Sequence, residues 1–171
     1  MPRSFDIAAD YPTSVRAVHS AFCDRQYWLA RLAASGADRW SLDELDPDAD
    51  GAVSITTTQV LHAPRLPAVV TQLHRGDLTL VRNELWYPVR GEHAEGTVRG
   101  HIPGAPASMH GSTALLPAHA GATGSRLKVR ATVEVNIPLL GGKVESMIGH
   151  SLTDLLANEQ QFTTTWIADQ R

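Results

Sequence analysis

Residues 126–166 read RLKVRATVEVNIPLLGGKVESMIGHSLTDLLANEQQFTTTW, and this stretch predicts the architecture of the chain. Apolar and polar residues alternate from 126 to 137, as they do in a strand with one buried face. Pro138 ends this strand, and Gly141-Gly142 allows the chain to turn. A helix is predicted from about 143 to 166, because its apolar residues share one stripe at about 100° per residue. That stripe consists of Val144, Ile148, Leu152, Leu155, Phe162 and Trp166.

A helix this long must bury its stripe, and the sheet that contains the preceding strand is the only large partner. The face of that strand directed toward the helix is predicted to carry Leu127, Val129, Ala131, Val133, Val135 and Ile137. Further strands are predicted at 1–10, 40–45, 53–61, 78–88, 93–102 and 108–116. Short turns rich in Gly and Pro join most of them, which favours antiparallel pairing. The fold class is therefore α+β, with a curved antiparallel sheet of about seven strands around one long C-terminal helix.

Three shorter helices are predicted from local signals. Pro12 and Thr13 open the first, which places Val15, Val18 and Phe22 at core spacing. The second runs over 25–34 and ends before Gly36. A short helix is predicted over 67–75, since Pro67 suits a first helical position and Gly76 a stop.

The composition restricts the kinds of partner. The chain has 171 residues, so we expect residues 1–171 to form a single domain. The net charge of −3 and the lack of a long basic run argue against nucleic acid. One cysteine, Cys23, excludes an internal disulfide and favours a reducing compartment. With no signal-peptide pattern and no apolar stretch near the roughly 20 residues of a membrane span, we expect no transmembrane segment and a cytoplasmic location.

The predicted inner faces of the middle strands combine glycines with a few polar side chains. Alternation selects Val53, Ile55, Thr57, Gln59 and Leu61; Val81, Asn83, Leu85 and Tyr87; Gly96, Val98, Gly100 and Ile102; and Met109, Gly111, Thr113 and Leu115. An apolar concavity with a few converging polar groups is typical of a small-molecule pocket. Alternatively, the glycines serve a bulged, strongly curved sheet. A slip of one residue in any strand would exchange its two faces.

Glu159 lies within the apolar stripe of the C-terminal helix, about 20° from Ile148 on the helical wheel. A buried carboxylate is unfavourable unless it is paired or hydrogen-bonded. It is either a polar anchor or acid/base at the end of a pocket, or the partner of a buried group on the sheet or first helix. We favour the second interpretation.

Motifs for metal, nucleotide or hydrolytic chemistry are incomplete. Residues 46–51 begin like a calcium loop, but Thr57 stands where the bidentate carboxylate is needed. The eight histidines show no metal-ligand spacing. Ser108, His110 and Ser112 share a strand face without a nucleophile elbow, and no glycine-rich phosphate loop occurs. We predict no metal, no cofactor and no catalytic residue.

The order of elements and several short segments resemble a known superfamily. These segments are Glu84-Leu85-Trp86, Pro103-Gly104-Ala105-Pro106, residues 138–145, and Glu159-Gln160-Gln161-Phe162 with Trp166. Nearly the whole chain resembles the START-like superfamily, also called SRPBCC or birch-pollen-allergen-like, and within it an actinobacterial branch of unknown function. The resemblance implies a helix-grip fold with a cavity between the sheet and the last helix. It also implies ligands such as lipids, sterols or polyketides, in a superfamily that includes cyclases, dehydratases and ring-hydroxylase subunits.

We therefore expect a noncatalytic binder or carrier of a small hydrophobic, lipid-like ligand; the sequence is silent on a protein partner. The lining is predicted to comprise Thr57, Gln59, Asn83, Leu85, Tyr87, Val98, Met109, Val129, Val133, Ile148, Leu152, Leu155, Glu159 and Phe162. One alternative is an enzyme of the polyketide cyclase or dehydratase type, with Glu159 or Tyr87 as general acid/base. Another is a protein-interaction domain with a filled core.

Overall fold

A computed structural model describes residues 1–170, and within them seven strands and four α-helices follow in the predicted order. The elements are β1 (Arg3–Tyr11), α1 (Val15–Phe22), α2 (Arg25–Ala33), β2 (Arg39–Pro47), β3 (Val53–Leu61), α3 (Ala68–Leu73), β4 (Leu78–Trp86), β5 (Ala94–His101), β6 (Ala107–Pro117), β7 (Ser125–Val135) and α4 (Gly141–Asp169). A short 3-10 turn, Ala63–Arg65, precedes α3.

The strands form one antiparallel sheet in the order β1-β7-β6-β5-β4-β3-β2. Hairpins join β2 to β3 and the neighbours from β4 to β7, whereas the 3-10 turn and α3 lie between β3 and β4. The last strand, β7, pairs with β1, so that Ile7 lies opposite Val129. The sheet curves around α4 and presents its inner face to that helix. The predicted seven-stranded α+β helix-grip fold is confirmed.

Side-chain caps fix the two N-terminal helices. Ser14 accepts a hydrogen bond from the Ala17 amide at the start of α1, and Asp24 accepts one from the Gln26 amide at the start of α2. Each cap satisfies an amide that has no partner within its helix. The first helix therefore begins just after the predicted Pro12-Thr13 opening.

The chain turns into α4 earlier than predicted. Leu139 has a φ of 68°, so the turn occurs there, and Gly141 is already the first residue of α4. Gly141 is needed for a different reason: a Cβ there would lie 2.5 Å from the carbonyl oxygen of Val135. Gly149, further along α4, also allows a close approach, since a Cβ there would overlap the ring of Phe5 on β1. These close approaches seat α4 directly on β1 and β7.

The predicted inner face of β4 is wrong by one residue. Thr57 of β3 pairs with Arg82, so Arg82, Glu84 and Trp86 face inward. Asn83, Leu85 and Tyr87, predicted to line a pocket, lie on the outer face with Val81. β4 carries large apolar residues on both faces, and ion pairs keep its inward charges in place, so alternation alone misleads. The faces predicted for β5, β6 and β7 agree with the observed burial.

The inner-face glycines divide between the two interpretations offered by the sequence. A Cβ on Gly111 would lie 2.5 Å from the Arg130 carbonyl oxygen, and one on Gly96 would overlap that of Leu85. These two glycines allow close approach of backbones in a strongly curved sheet. Gly100 differs, because the nearest atom to an added Cβ would be Met109 Cε at 3.4 Å, an ordinary contact. Only at this one of the three positions would an added Cβ meet ordinary van der Waals contacts.

Candidate functional site

One end of the interior is a packed aromatic cluster formed by Phe22, Tyr27, Trp28, Trp86, Phe162 and Trp166. Ring centroids lie 5.2 Å apart for Phe22 and Trp86 and 5.3 Å apart for Tyr27 and Trp166. Tyr27 is fully buried and Trp86 is 2% exposed. At these separations the rings are in close contact, so side chains fill this end of the interior.

The other end, here called the aliphatic end, is covered more loosely. Its members are Phe5, Val69, Leu73, Ala107, Met109, Val133, Val135, Ile137, Val144, Met147, Ile148 and Leu152. Of these, only Val133, Val135 and Val144 are buried. All six residues of α3, which packs here through Val69 and Leu73, keep accessible surface.

The middle of α4 shows the same looseness. Every residue from 150 to 162 keeps part of its surface accessible, including the apolar stripe residues Leu152, Leu155 and Phe162. An apolar stripe that faces a sheet is normally buried against it. The backbone of α4 lies closest to β1 and β7, and its middle reaches β4 through the side chains of Glu159 and Arg82.

Between the two ends lies a cluster of four charged side chains, the charge cluster, formed by Arg31, Arg82, Glu84 and Glu159. Arg82 binds Glu159 through two nitrogens, with Nη1–Oε2 at 2.7 Å and Nη2–Oε1 at 3.1 Å. Arg31 pairs with Glu159 Oε2 as well, and Arg82 Nη2 lies 3.4 Å from Glu84 Oε1. The side chains are 10 to 16% exposed, so these pairs are largely shielded from water. The cluster joins α2, β4 and α4 across the interior.

The charges of the cluster cancel, and its electrostatics keep Glu159 ionised. Burial raises the pKa of the Glu159 carboxyl, but Arg31 and Arg82 lower it by more, to about 2. Glu159 also holds the pKa of Arg31 well above its ordinary value against the opposing effect of burial. The partner that the sequence led us to expect for Glu159 on the sheet is Arg82. Its other partner, Arg31, lies on α2 rather than on the first helix.

A chain of hydroxyl groups anchors Arg31 to α4. Arg31 Nη1 donates to the Tyr27 hydroxyl at 3.2 Å, which donates to Thr163 Oγ1 at 2.6 Å. Thr163 in turn donates to the backbone carbonyl of Glu159 at 2.7 Å. The Arg31 guanidinium also lies 4.6 Å from the ring centroid of Trp28. The aromatic cluster thus fixes one side of the charge cluster.

The other side of the charge cluster has polar atoms without partners. Arg82 Nε and Glu84 Oε2 are buried and have no hydrogen-bond partner among residues 1–170, and the same holds for Thr113 Oγ1 on β6. Buried polar atoms are nearly always paired. Thr13, Ser125 and Glu145 also keep a buried oxygen without a partner among residues 1–170, so the charge cluster shares this feature with other buried sites.

The structure brings most of the predicted lining residues to the inner face. From the sheet these are Thr57, Gln59, Val98, Met109, Val129 and Val133, and from α4 they are Ile148, Leu152, Leu155, Glu159 and Phe162. Phe162 and Val129 pack with the aromatic cluster instead of the aliphatic end. Whether these residues contact a ligand stays a prediction.

The sequence analysis did not identify Arg31, Arg82 or Glu84 as residues of the interior. Two charges of opposite sign at i and i+2 between the apolar Leu80 and Trp86 were the available signal for β4.

A separate open groove of about 740 Å³ crosses the outer face of the sheet, opposite α4. Tyr87, half exposed, stands at this groove with Glu95, Lys128 and Arg130. Its charged side chains carry both signs, and its lining also includes Gly96, Thr113 and Val129 of β5, β6 and β7. Tyr87 therefore belongs to the outer surface and cannot act on a ligand held beneath α4.

The described part of the chain, residues 1–170, holds no group of three or more His, Cys, Asp or Glu side chains placed to bind a metal ion. Within the same residues, no helix has the length and apolar character needed to cross a membrane.

Comparison with known proteins identifies relatives over the full length. A family model described as "Protein of unknown function (DUF2505)" matches residues 6–167. An uncharacterized protein of Mycobacterium tuberculosis is 43% identical over 173 residues, which covers 99% of each chain. The predicted resemblance to a branch of unknown function is confirmed.

Solved structures with the same fold include two with descriptive names. The ZhuI aromatase/cyclase from Streptomyces sp. R1128 superposes with a TM-score of 0.60 at 8% identity, covering 98% of this chain and 94% of that one. A START superfamily protein from Mycobacterium smegmatis superposes with a TM-score of 0.56 at 12% identity, covering 98% and 99%. At such identities the likeness establishes the START-like fold alone.

Proposed function

We propose that this chain, which belongs to the DUF2505 family, binds a small hydrophobic ligand between α4 and the inner face of the sheet. The observation that carries the proposal is the accessible apolar stripe in the middle of α4, where residues 150–162 stand over the sheet without being buried. Gly100, where an added Cβ would meet only ordinary contacts, lies on the inner face of the sheet. An apolar ligand would cover both surfaces.

The hydrophobic effect supplies the affinity. At about 25 cal/mol per Å², covering roughly 200 Å² of apolar ligand surface contributes about 5 kcal/mol before the losses on association are counted. Met109, Ile148, Leu152 and Leu155 are the residues that would contribute most, since each is apolar and only partly buried. Thr57 and Gln59 lie on the same face and would orient a polar end.

The entrance is proposed to lie at α3. This helix has only six residues, all of them partly or largely exposed, and it touches the aliphatic end through Val69 and Leu73. The loop at 103–106 is adjacent, since Pro106 accepts a hydrogen bond from the Asn136 amide beside the β7–α4 turn. An element with few buried contacts opens at low free energy, as a gate requires.

The cyclase or dehydratase alternative needs a general acid/base in the same space. Glu159 has a pKa of about 2 and is held by two arginines, so it neither accepts nor releases a proton near neutral pH. Tyr87 lies on the outer face. The fold shared with an aromatase/cyclase is the remaining support for this alternative, and noncatalytic binding is favoured.

Native mass spectrometry of the purified chain, followed by solvent extraction, tests the proposal. We expect a stoichiometric adduct that is released on heating and is lipid-like or aromatic. If the chain is free of adducts, and a panel of fatty acids, fatty alcohols, isoprenoids and polyketide analogues then fails to raise its melting temperature, ligand binding is refuted. The domain would then be one with a filled core that acts through a protein partner.

A further inference from the structure

The turn between β7 and α4 presents two leucines to solvent. Leu139 is fully exposed, and Leu140 is 40% exposed. Leu139 also has a φ of 68°, in the left-handed region that leucine avoids because its Cβ crowds the backbone there. Residues held in such a conformation are concentrated at functional sites. A strained leucine with a fully exposed side chain therefore indicates a role in binding something outside the chain.

Exposed residues of a second segment lie beside this turn. The Asn136 amide donates to the Pro106 carbonyl oxygen at 2.9 Å, which places the β5–β6 loop against the turn. Pro103, Gly104 and Pro106 of that loop are exposed, as is Pro138. The apolar tip is the name used here for residues 103–106 and 138–140.

Cationic groups stand next to the apolar tip. Lys143 is exposed in the first turn of α4. Arg3 lies against the same part of the helix, since its Nη1 donates to Ser146 Oγ at 2.7 Å. No side chain among residues 1–170 caps the N-terminus of α4, a helix of 29 residues, so its positive dipole end also faces solvent here.

Acidic side chains are absent from the sequence of the tip and its immediate neighbours. No Asp or Glu occurs in residues 102–107 or 136–144. Glu145 comes next, but it is fully buried and accepts a hydrogen bond from the Val135 amide at 2.9 Å. Glu134 points to the outer face of the sheet, since its neighbours on β7 are buried on the inner face. The tip therefore combines exposed apolar side chains with a positive potential.

A bilayer suits such a protrusion better than a folded protein does. The core of a protein interface is closely packed and matches its partner in shape. Leu139 stands clear of its neighbours, and the fluid acyl region of a membrane accepts an apolar side chain without a preformed site. Cations beside it are attracted to the negatively charged surface of anionic lipids.

We propose that the apolar tip docks on a bilayer that contains anionic phospholipids. Leu139 and Leu140 enter the boundary between headgroups and acyl chains, and Arg3 and Lys143 lie at the lipid phosphates. The inference goes beyond the proposed function and does not depend on it, because docking requires no ligand beneath α4.

Flotation of the full chain with lipid vesicles tests the proposal. Vesicles of phosphatidylcholine alone are compared with vesicles of phosphatidylcholine and phosphatidylglycerol in equal amounts. Each cation near an anionic surface strengthens binding by about fivefold. We expect the chain to bind the mixed vesicles at least about tenfold tighter, and added salt to weaken this binding.

Two variants separate the apolar and the cationic contributions. Leu139→Asn should lower binding to the mixed vesicles at least about tenfold, because the buried apolar side chain is lost. It should also raise the melting temperature, since asparagine tolerates the left-handed region. Lys143→Gln should lower binding to the mixed vesicles about fivefold.

Matched controls come from the outer groove, which lies toward the opposite ends of β4 and β7. Tyr87→Asn removes a half-exposed aromatic side chain there, and Lys128→Gln removes an exposed cation. Both variants should bind the mixed vesicles as the unaltered chain does.

The inference is overturned if the unaltered chain binds neither kind of vesicle, or if Leu139→Asn binds the mixed vesicles as tightly as the unaltered chain. Equal losses in Tyr87→Asn and Leu139→Asn would overturn it too. A dimer that Leu139→Asn dissociates in gel filtration, without any vesicle binding, would assign the tip to a second copy of the chain instead. None of these results bears on ligand binding beneath α4, which the mass spectrometric experiment tests separately.

Discussion

Glu159 is the residue on which the interior depends most. It neutralises two guanidinium groups that are otherwise buried together, one from α2 and one from β4. Removing one member of a buried ion pair leaves the other charges uncompensated, which is far more destabilising than the loss of a surface pair. The structural role of Glu159 follows from this geometry.

Replacing Glu159 with Gln should lower the free energy of unfolding by about 3 kcal/mol, because Glu84 alone would then balance the charges of Arg31 and Arg82. Urea denaturation measures the change. Asp154→Asn, an exposed position on the same helix, is the control and should change stability by no more than about 0.5 kcal/mol. Equal effects of the two substitutions would contradict the buried ion pair.

The same carboxyl predicts an acid-sensitive stability. Burial raises its pKa, but the two arginines lower it from the ordinary 4.5 to about 2 in the folded chain. The unfolded chain therefore binds the proton first as pH falls. The contribution of Glu159 is complete above about pH 4.5 and is lost progressively toward pH 2.

Denaturation across pH 2 to 6 should show the unaltered chain losing about 3 kcal/mol more than Glu159→Gln over this window. Parallel pH profiles for the two chains would contradict the lowered pKa.

At this scale the sequence was a partial guide. Glu159 stood out because a carboxylate within an apolar helical stripe needs a partner. Its partners could not be identified from the sequence, because β4 has large apolar residues on both faces. The alternation pattern therefore predicted the wrong inner face for this strand. Only the pairing register of β3 with β4 shows that Arg82 and Glu84 lie inside.

At the scale of elements, the seating of α4 on β1 and β7 defines the interior. Gly141 and Gly142 are neighbours in its first turn, yet they meet different surroundings. A Cβ on Gly141 would lie 2.5 Å from a backbone carbonyl oxygen, whereas one on Gly142 would meet only the end of the Arg3 side chain at 3.4 Å. Backbone cannot move aside as a flexible side chain can.

Gly141→Ala should therefore destabilise the chain by about 2 kcal/mol, while Gly142→Ala should be neutral or slightly stabilising because alanine favours the helix. Thermal denaturation of the two variants side by side gives the comparison. If both variants proved equally stable, the close approach at Gly141 would be refuted.

The elements themselves were largely predictable, since period and turn chemistry are local properties of the chain. The exact role of Gly141-Gly142 was not. The sequence favoured a turn there, but the turn falls at Leu139 and the glycines serve a contact with Val135. Contacts between distant segments set such details, and one sequence does not contain them explicitly.

At the scale of the whole molecule, the two ends differ in how firmly they are packed. The aromatic cluster ties α1 and α2 to the sheet through buried rings. α3 and the middle of α4 bury little. Regions with few buried apolar contacts open at lower free energy than the rest of the molecule.

Amide hydrogen exchange should accordingly be faster in α3 than in α1 or α2. Adding decanol should slow exchange in α3 and in residues 150–158, because a ligand that binds only the closed form stabilises it. Protection confined to the outer groove would place the ligand on the wrong side of the sheet.

The central claim is that a ligand lies between α4 and the inner face of the sheet, and two variants of β5 test it most directly. Gly100 faces inward, where an added Cβ would meet ordinary contacts, and Thr97 faces outward on the same strand. Binding of an apolar fluorescent probe should fall at least tenfold in Gly100→Leu, with circular dichroism unchanged, and stay the same in Thr97→Leu. If Gly100→Leu binds the probe as the unaltered chain does, or if Thr97→Leu loses it, the ligand does not lie beneath α4.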